Sequence, residues 1–169
     1  MKNIVIHEAE IKDCYEIAVL KRDVWNTTYR GIYPDTKLDN YDIEENAAKF
    51  EKIIANPDIF LFVARDSDRI VGYMSCGKPY RPFQNYEQEI GLLYILNEYQ
   101  NLGIGKELFS TGFKKIKQSG YNEFFISCNK YNLNALEFYK KMGGKVIHID
   151  EDTDTEDKSA VQVKFHYQV

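Results

Sequence analysis

The hydrophobic period of this chain changes several times, and each change marks an element. Ile4 and Ile6 alternate with Val5 and His7 as a short strand, and apolar residues then recur at helical spacing through Ile17, Leu20 and Val24 as far as Tyr29, with Trp25 alongside. Gly31 and Pro34 break that helix at the aromatic loop 30–34, which could lie over a pocket, and Trp25, Tyr29 and Tyr33 cover either that pocket or only core. A D-x-x-E start at Asp42 and Glu45 opens a second helix with Ala47, Phe50, Ile53 and Ile54 on its apolar face, and Pro57 ends it. Residues 59–64 and 70–76 flank the polar run 66–69 as an antiparallel hairpin, and residues 77–87 read as a loop. A third strand at 89–96 is followed by a helix with Leu108, Phe109, Phe113 and Ile116 on one stripe, stopped by Gly120. Residues 124–128 make another strand, and Ala135, Phe138, Tyr139 and Met142 share one face of a helix ended by Gly143-Gly144. Strands at 146–149 and 160–165 complete an α/β (α+β) chain, a mixed sheet with covering helices in one domain spanning 1–169.

The segment joining the third strand to its helix, Tyr99-Gln100-Asn101-Leu102-Gly103-Ile104-Gly105-Lys106, carries the strongest chemical signal. Gly103 and Gly105 let a ligand approach the backbone, and the first N–H groups of the helix have no intrahelical acceptor. The pattern is an anion cradle suited to phosphate. Two nucleotide motifs fail: Glu107 stands where a P-loop needs Ser or Thr, and Leu108 stands where a dinucleotide fingerprint needs its third glycine.

Composition narrows the remaining classes. Six of the 26 acidic residues fall between Asp150 and Asp157 in what reads as a solvated loop, leaving 20 acids against 22 Lys and Arg. Such a balance offers no general footprint for nucleic acid. Cys14, Cys76 and Cys128 are far apart and suggest neither disulfides nor zinc, and His7, His148 and His166 are equally dispersed, so no metal ligand is assigned. The stretch from Met1 to Ile6 lacks the apolar core of a signal peptide and no later run would span a bilayer, so the expected setting is cytoplasmic, with no membrane partner.

Gln100, Gly103 and Gly105 resemble the Q/R-x-x-G-x-G/A acyl-CoA motif of the GNAT superfamily of N-acetyltransferases. A second signature of that family, N-x-x-A-x-x-F-Y-x-K-x-G, is matched by Asn132, Ala135, Phe138, Tyr139, Lys141 and Gly143, whereas the usual Gly-Phe ending is replaced by Gly144. The resemblance covers nearly the whole order of elements. It implies a GNAT-like, mostly antiparallel sheet with a splayed central strand pair, at 89–96 and 121–128, and helices on both faces. Acetyl-CoA as co-substrate would lie in that wedge. Backbone groups around Leu93 and Ile95 would meet pantetheine, with the N–H of Ile95 or a neighbour near the thioester oxygen, and the N–H groups from Leu102 through Gly103, Ile104 and Gly105 to Lys106 would hold pyrophosphate. Gln100, Asn101, Asn132, Ala135 and Tyr139 complete the expected cofactor contacts.

For catalysis, Glu89 is the base candidate, acting directly or through water, and Tyr139 is the acid for the departing sulfur. Each residue has a plainer reading, Glu89 as a solvated strand-end carboxylate and Tyr139 as a packing residue. Cys128 lacks a well-placed His and reads as a structural thiol. The expected reaction is direct acetylation of a primary amine on a small molecule or peptide; the alternative is a noncatalytic acyl-CoA-binding or sensing module. No motif names the acceptor, although acidic residues near its side could attract a polyamine or aminoglycoside. The final strand and aromatic surfaces could support a homodimer.

Overall fold

A computed structural model describes residues 3–169; Met1 and Lys2, part of the N-terminal stretch discussed above, lie outside it. Among the described residues the strands are β1 (Ile4–Glu8), β2 (Ile59–Asp66), β3 (Arg69–Gly77), β4 (Glu89–Ile95), β5 (Glu123–Asn129), β6 (Lys145–Ile149) and β7 (Gln162–Gln168). They hydrogen-bond in the order β1-β2-β3-β4-β5-β7-β6. Every neighbouring pair is antiparallel except β4 with β5, which is parallel. The helices are α1 (Cys14–Thr28), α2 (Asp35–Asp39), α3 (Ile43–Ala55), α4 (Ile104–Gln118) and α5 (Leu133–Lys141). None is long and apolar enough to cross a membrane.

Two adjacent residues of β3 show how the sheet is covered. Successive side chains of a strand point to opposite faces. Tyr73 meets Phe50 of α3 edge-on at 5.3 Å, whereas a Cβ on Gly112 of α4 would lie 2.9 Å from the Met74 methyl. Thus α3 and α4 lie on opposite faces, as the resemblance implied. On the α4 face, Phe124 of β5 stacks on Tyr167 of β7 at 4.9 Å, and Phe109 of α4 closes on both rings. Tyr139 of α5 packs on Phe165 of β7, which puts α5 on this face too. The alternate residues Ser127 and Lys164 therefore face the α1 and α3 side.

Most elements follow the sequence pattern, and three features differ for local reasons: one strand limit, one added helix and one side chain's burial. The last strand is Gln162–Gln168 rather than 160–165, because Val163, Phe165 and Tyr167 are the alternate residues buried as it pairs with β5. The one-turn helix α2 is too short to show a period, and Arg30 ties it to the end of α1 by donating to Asp35 and Asp39. Phe113 is only half-buried, while Gly112 beside it takes the close contact with β3. The 150–161 segment contains no helix or strand and is mostly exposed, as the acidic run suggested.

Candidate active site

The site begins at a break in strand pairing. Leu92 lies opposite Ser75 and Ile90 opposite Cys76, so Gly91 is an extra residue in β4, a β-bulge. A Cβ there would sit 2.7 Å from Glu89 Oε1 and 3.3 Å from Ser75 Oγ, a space that favours glycine. A bulge bends its strand, and β4 meets β5 in the single register pair Glu89–Phe125 before the two part. Leu96 gives its N–H to the Val71 carbonyl on β3, and alternation along the strand then turns the backbone groups of Leu93 and Ile95 toward the β5 side, where the ladder is missing. That edge can pair with an extended amide chain.

The wedge leads to the glycine cradle. Asn101 and Gly103 have φ of 60° and 86°, and Gly103 caps α4, with open space wherever its Cβ would stand. At Gly105 a Cβ would come 3.1 Å from Ile95 Cδ1 and 3.4 Å from the Phe138 ring, so a small residue lets α4 close on β4 and α5. Gln100 Nε2 donates to the Ile95 carbonyl at 3.3 Å, tying the cradle to the wedge. Asn132 accepts from the Ala135 N–H at 3.1 Å as the cap of α5 and also lines the cavity, so capping does not withdraw it from the site. Leu93, Ile95, Gln100, Asn101, Gly103, Gly105, Lys106, Asn132, Ala135 and Tyr139 all line one cavity of about 1710 Å³. Leu102, 55% exposed, and Ile104, buried in the core at 2%, do not line it. The donor set fits a pyrophosphate joined to an amide-bearing arm, and the volume exceeds the roughly 300–1,000 Å³ of an ordinary single-ligand pocket.

Glu89 is not the solvated group of the plainer reading. It lines the same cavity, accepts the Tyr80 N–H at 3.1 Å, and has its pKa raised by burial, with the Tyr80 N–H and the Lys164 charge acting the other way. Tyr139 is 7% exposed; burial holds its phenol far above the usual range, and its hydroxyl has no hydrogen-bond partner among the described residues. Its carbonyl accepts from the Tyr167 hydroxyl at 2.7 Å and from the Gly144 N–H at 3.0 Å, which fixes the end of α5. Cys128 also lines the cavity, but burial pushes its thiol up to about 12, so it is not an available thiolate at neutral pH.

Several cavity residues fall outside the two motifs. Tyr29 and Tyr33 stack at 4.3 Å and line the cavity with Tyr94, so the aromatic loop covers pocket and core together. Gly91, inside an otherwise apolar strand, was the available signal for the bulge. Lys21 and Lys164 gave no local signal, because a lysine is unremarkable on the polar face of a helix such as α1 or at an alternate position of a strand such as β7.

The family model described as "Acetyltransferase (GNAT) family" matches residues 11–144, from the turn before α1 through the cradle to the end of α5. The chain belongs to the GNAT acetyltransferase family. A relative in Thermoplasma acidophilum, a spermidine N(1)-acetyltransferase, is 29% identical over 162 residues, covering 92% of this chain and 94% of the relative. An uncharacterized N-acetyltransferase of Bacillus subtilis, YuaI, is 28% identical over 138 residues, covering 81% and 78%. The solved PaiA N-acetyltransferase of Thermoplasma acidophilum, in complex with coenzyme A, superposes with TM-score 0.77 at 25% identity over 99% of both chains.

Proposed function

We propose that this GNAT chain transfers acetyl from acetyl-CoA directly to a primary amine of a small molecule or peptide, in the cytoplasm, with Glu89 as base and Tyr139 as acid. The observation that carries this reading is the convergence of the open β4 edge, the glycine cradle, Glu89 and Tyr139 on one cavity. A lysine-like ammonium with a pKa near 10.4 must lose about three units' worth of proton affinity, roughly 4 kcal/mol, to become a nucleophile at neutral pH. Glu89 takes that proton, directly or through water, and passes it to solvent. As nitrogen adds to the thioester carbon, the N–H of Ile95 faces the developing oxyanion. Collapse forms the amide and breaks the C–S bond; Tyr139 gives its proton to the sulfur and regains one from the nitrogen. Acetyl-CoA supplies the activated acyl group. The binding and sensing alternative keeps the cradle and wedge without this proton transfer. A homodimer would cover the outer edge of β6, where Val146, Ile147 and Ile149 are exposed.

Release of free CoA thiol with a panel of amines, together with mass spectrometry of the acetylated product, tests the reaction. Tight acetyl-CoA binding without product across that panel would favour the sensor. The cradle has an internal control, since Gly103 and Gly120 both have positive φ and open space at Cβ, but Gly103 caps the start of α4 and Gly120 follows Ser119, the cap at its end. Each Gly→Ala change should cost about 1 kcal/mol from backbone strain. Only Gly103→Ala should also weaken acetyl-CoA binding, by about tenfold in calorimetry, roughly one lost hydrogen bond. Equal affinities in the two variants would remove Gly103 from the cradle.

A further inference from the structure

The charge lining the cavity has the opposite sign from the chain. Among the described residues eight cationic side chains line it against three acidic ones, although the protein carries a net charge of -4. Two of the cations stand on the cradle side, Lys106 on α4 and Lys141 on α5, the latter paired with Glu137 at 3.7 Å. The other six are Lys21 on α1, Lys49 and Lys52 on α3, Lys78 and Arg81 in the loop after β3, and Lys164 on β7. Here α1, α3 and Lys164 lie across the sheet from α4, away from the pyrophosphate cradle.

Ion pairs do not cancel this set. Lys49 reaches Glu45 at 2.7 Å and Lys78 reaches Asp58 at 3.7 Å, both in exposed pairs of small energetic weight. Lys21, Lys52, Arg81 and Lys164 have no carboxylate partner among the described residues. Lys21 is the most confined of these. Its Nζ donates to Asn46 Oδ1 at 2.9 Å and lies 4.5 Å from the Trp25 ring centre, with Tyr41 and Phe50 also near. Burial and the neighbouring Lys49 charge lower its pKa to about 8. The groups facing it are thus a neutral amide, aromatic faces and another cation, none of which supplies a negative charge. The acids of residues 35–45, which could have attracted a polycation, do not line the cavity. Among the described residues only Glu89 and Asp150 oppose the six cations on this side.

We infer that the acceptor is an amine that also carries a carboxylate or phosphate, its anionic group held at the exposed rim to which Lys52 and Arg81 contribute, with Lys21 more confined in the same cavity, while its amine meets Glu89. This rests on the N-acetyltransferase reading for the fate of the amine, but the charge preference can be read from binding alone. A polyamine would place a second ammonium against this rim, at a cost, whereas an anion supplies the missing countercharge.

Cadaverine, ε-aminocaproate and aminopentyl phosphate share a five-carbon spacer and differ in the group opposite the amine. Titrated calorimetrically into the CoA-loaded protein, the two anionic amines should bind at least about tenfold more tightly than cadaverine, a margin of one favourable charge-assisted contact. Their difference from each other tells carboxylate from phosphate. Lys52→Glu with Arg81→Glu, both at exposed positions, should abolish or invert the preference without unfolding the protein. Cadaverine binding as tightly as the anionic amines, or a preference unchanged in the double variant, would overturn the inference. Thiol release with acetyl-CoA in place of CoA tests catalysis separately. Anion preference without turnover would retain the acceptor class and reject acetyl transfer, whereas turnover favouring cadaverine would do the reverse.

Discussion

Glu89→Gln should lower kcat/KM for amine acetylation by about 10²–10³-fold, within the range for loss of a general base, while leaving the affinity for acetyl-CoA unchanged. Glutamine keeps an oxygen for the Tyr80 N–H, so the loop contact survives and only the proton acceptor is lost. The pH profile carries the diagnosis. Burial raises the pKa of Glu89, so wild-type kcat/KM should climb as the carboxylate forms, on a limb above the ordinary glutamate range that the variant lacks. Stability should move the other way. Because the folded pKa lies above the unfolded one, Glu89 contributes stability that is complete below the unfolded value and lost as pH rises through the folded value. At neutral pH the buried carboxylate is therefore a liability, and Glu89→Gln should melt about 2 °C higher. A variant as active as wild type at every pH would remove Glu89 from the chemistry.

Tyr139→Phe should reduce kcat by about 10- to 100-fold, the value of a hydrogen bond to a charged group, here the departing thiolate. The phenol is a fit donor because burial keeps it protonated across the accessible pH range. Its ring packs on Phe138 and Phe165, and its carbonyl holds the Tyr167 hydroxyl. Phenylalanine preserves all of these contacts. Melting temperature and CoA affinity should therefore stay close to wild type, which separates chemistry from packing. Undiminished steady-state turnover would leave Tyr139 as a wall of the cavity only.

What could be read before the structure was whatever chemistry and geometry share a short stretch of chain. The cradle is one strand end, one turn and one helix start, so Gln100, Gly103 and Gly105 announce it together. The α5 signature is equally local, with Asn132 capping the helix that carries Tyr139. The wedge was available only through resemblance, because it arises from a one-residue register offset between β3 and β4, and Gly91 alone does not say which strand opens. The charge that lines the cavity was not legible in the sequence. Acids are frequent between Asp35 and Glu45, yet the residues that α1 and α3 turn toward the cavity include Lys21, Lys49 and Lys52. Helical phase decides which charges a ligand meets, and composition does not retain it.

Gly144 is where the chain departs from its family's Gly-Phe ending, and Tyr167 explains how that departure is accommodated. A Cβ at Gly144 would stand 2.6 Å from the Tyr167 hydroxyl and 2.9 Å from the Tyr139 carbonyl, so the tyrosine from the last strand already fills the space beside α5. Positions 144 and 167 thus form one steric unit shared by two distant segments. Their substitutions should be conditional on each other: among descendants of this sequence, a bulky residue could enter at 144 only in a lineage that had first given up the tyrosine at 167.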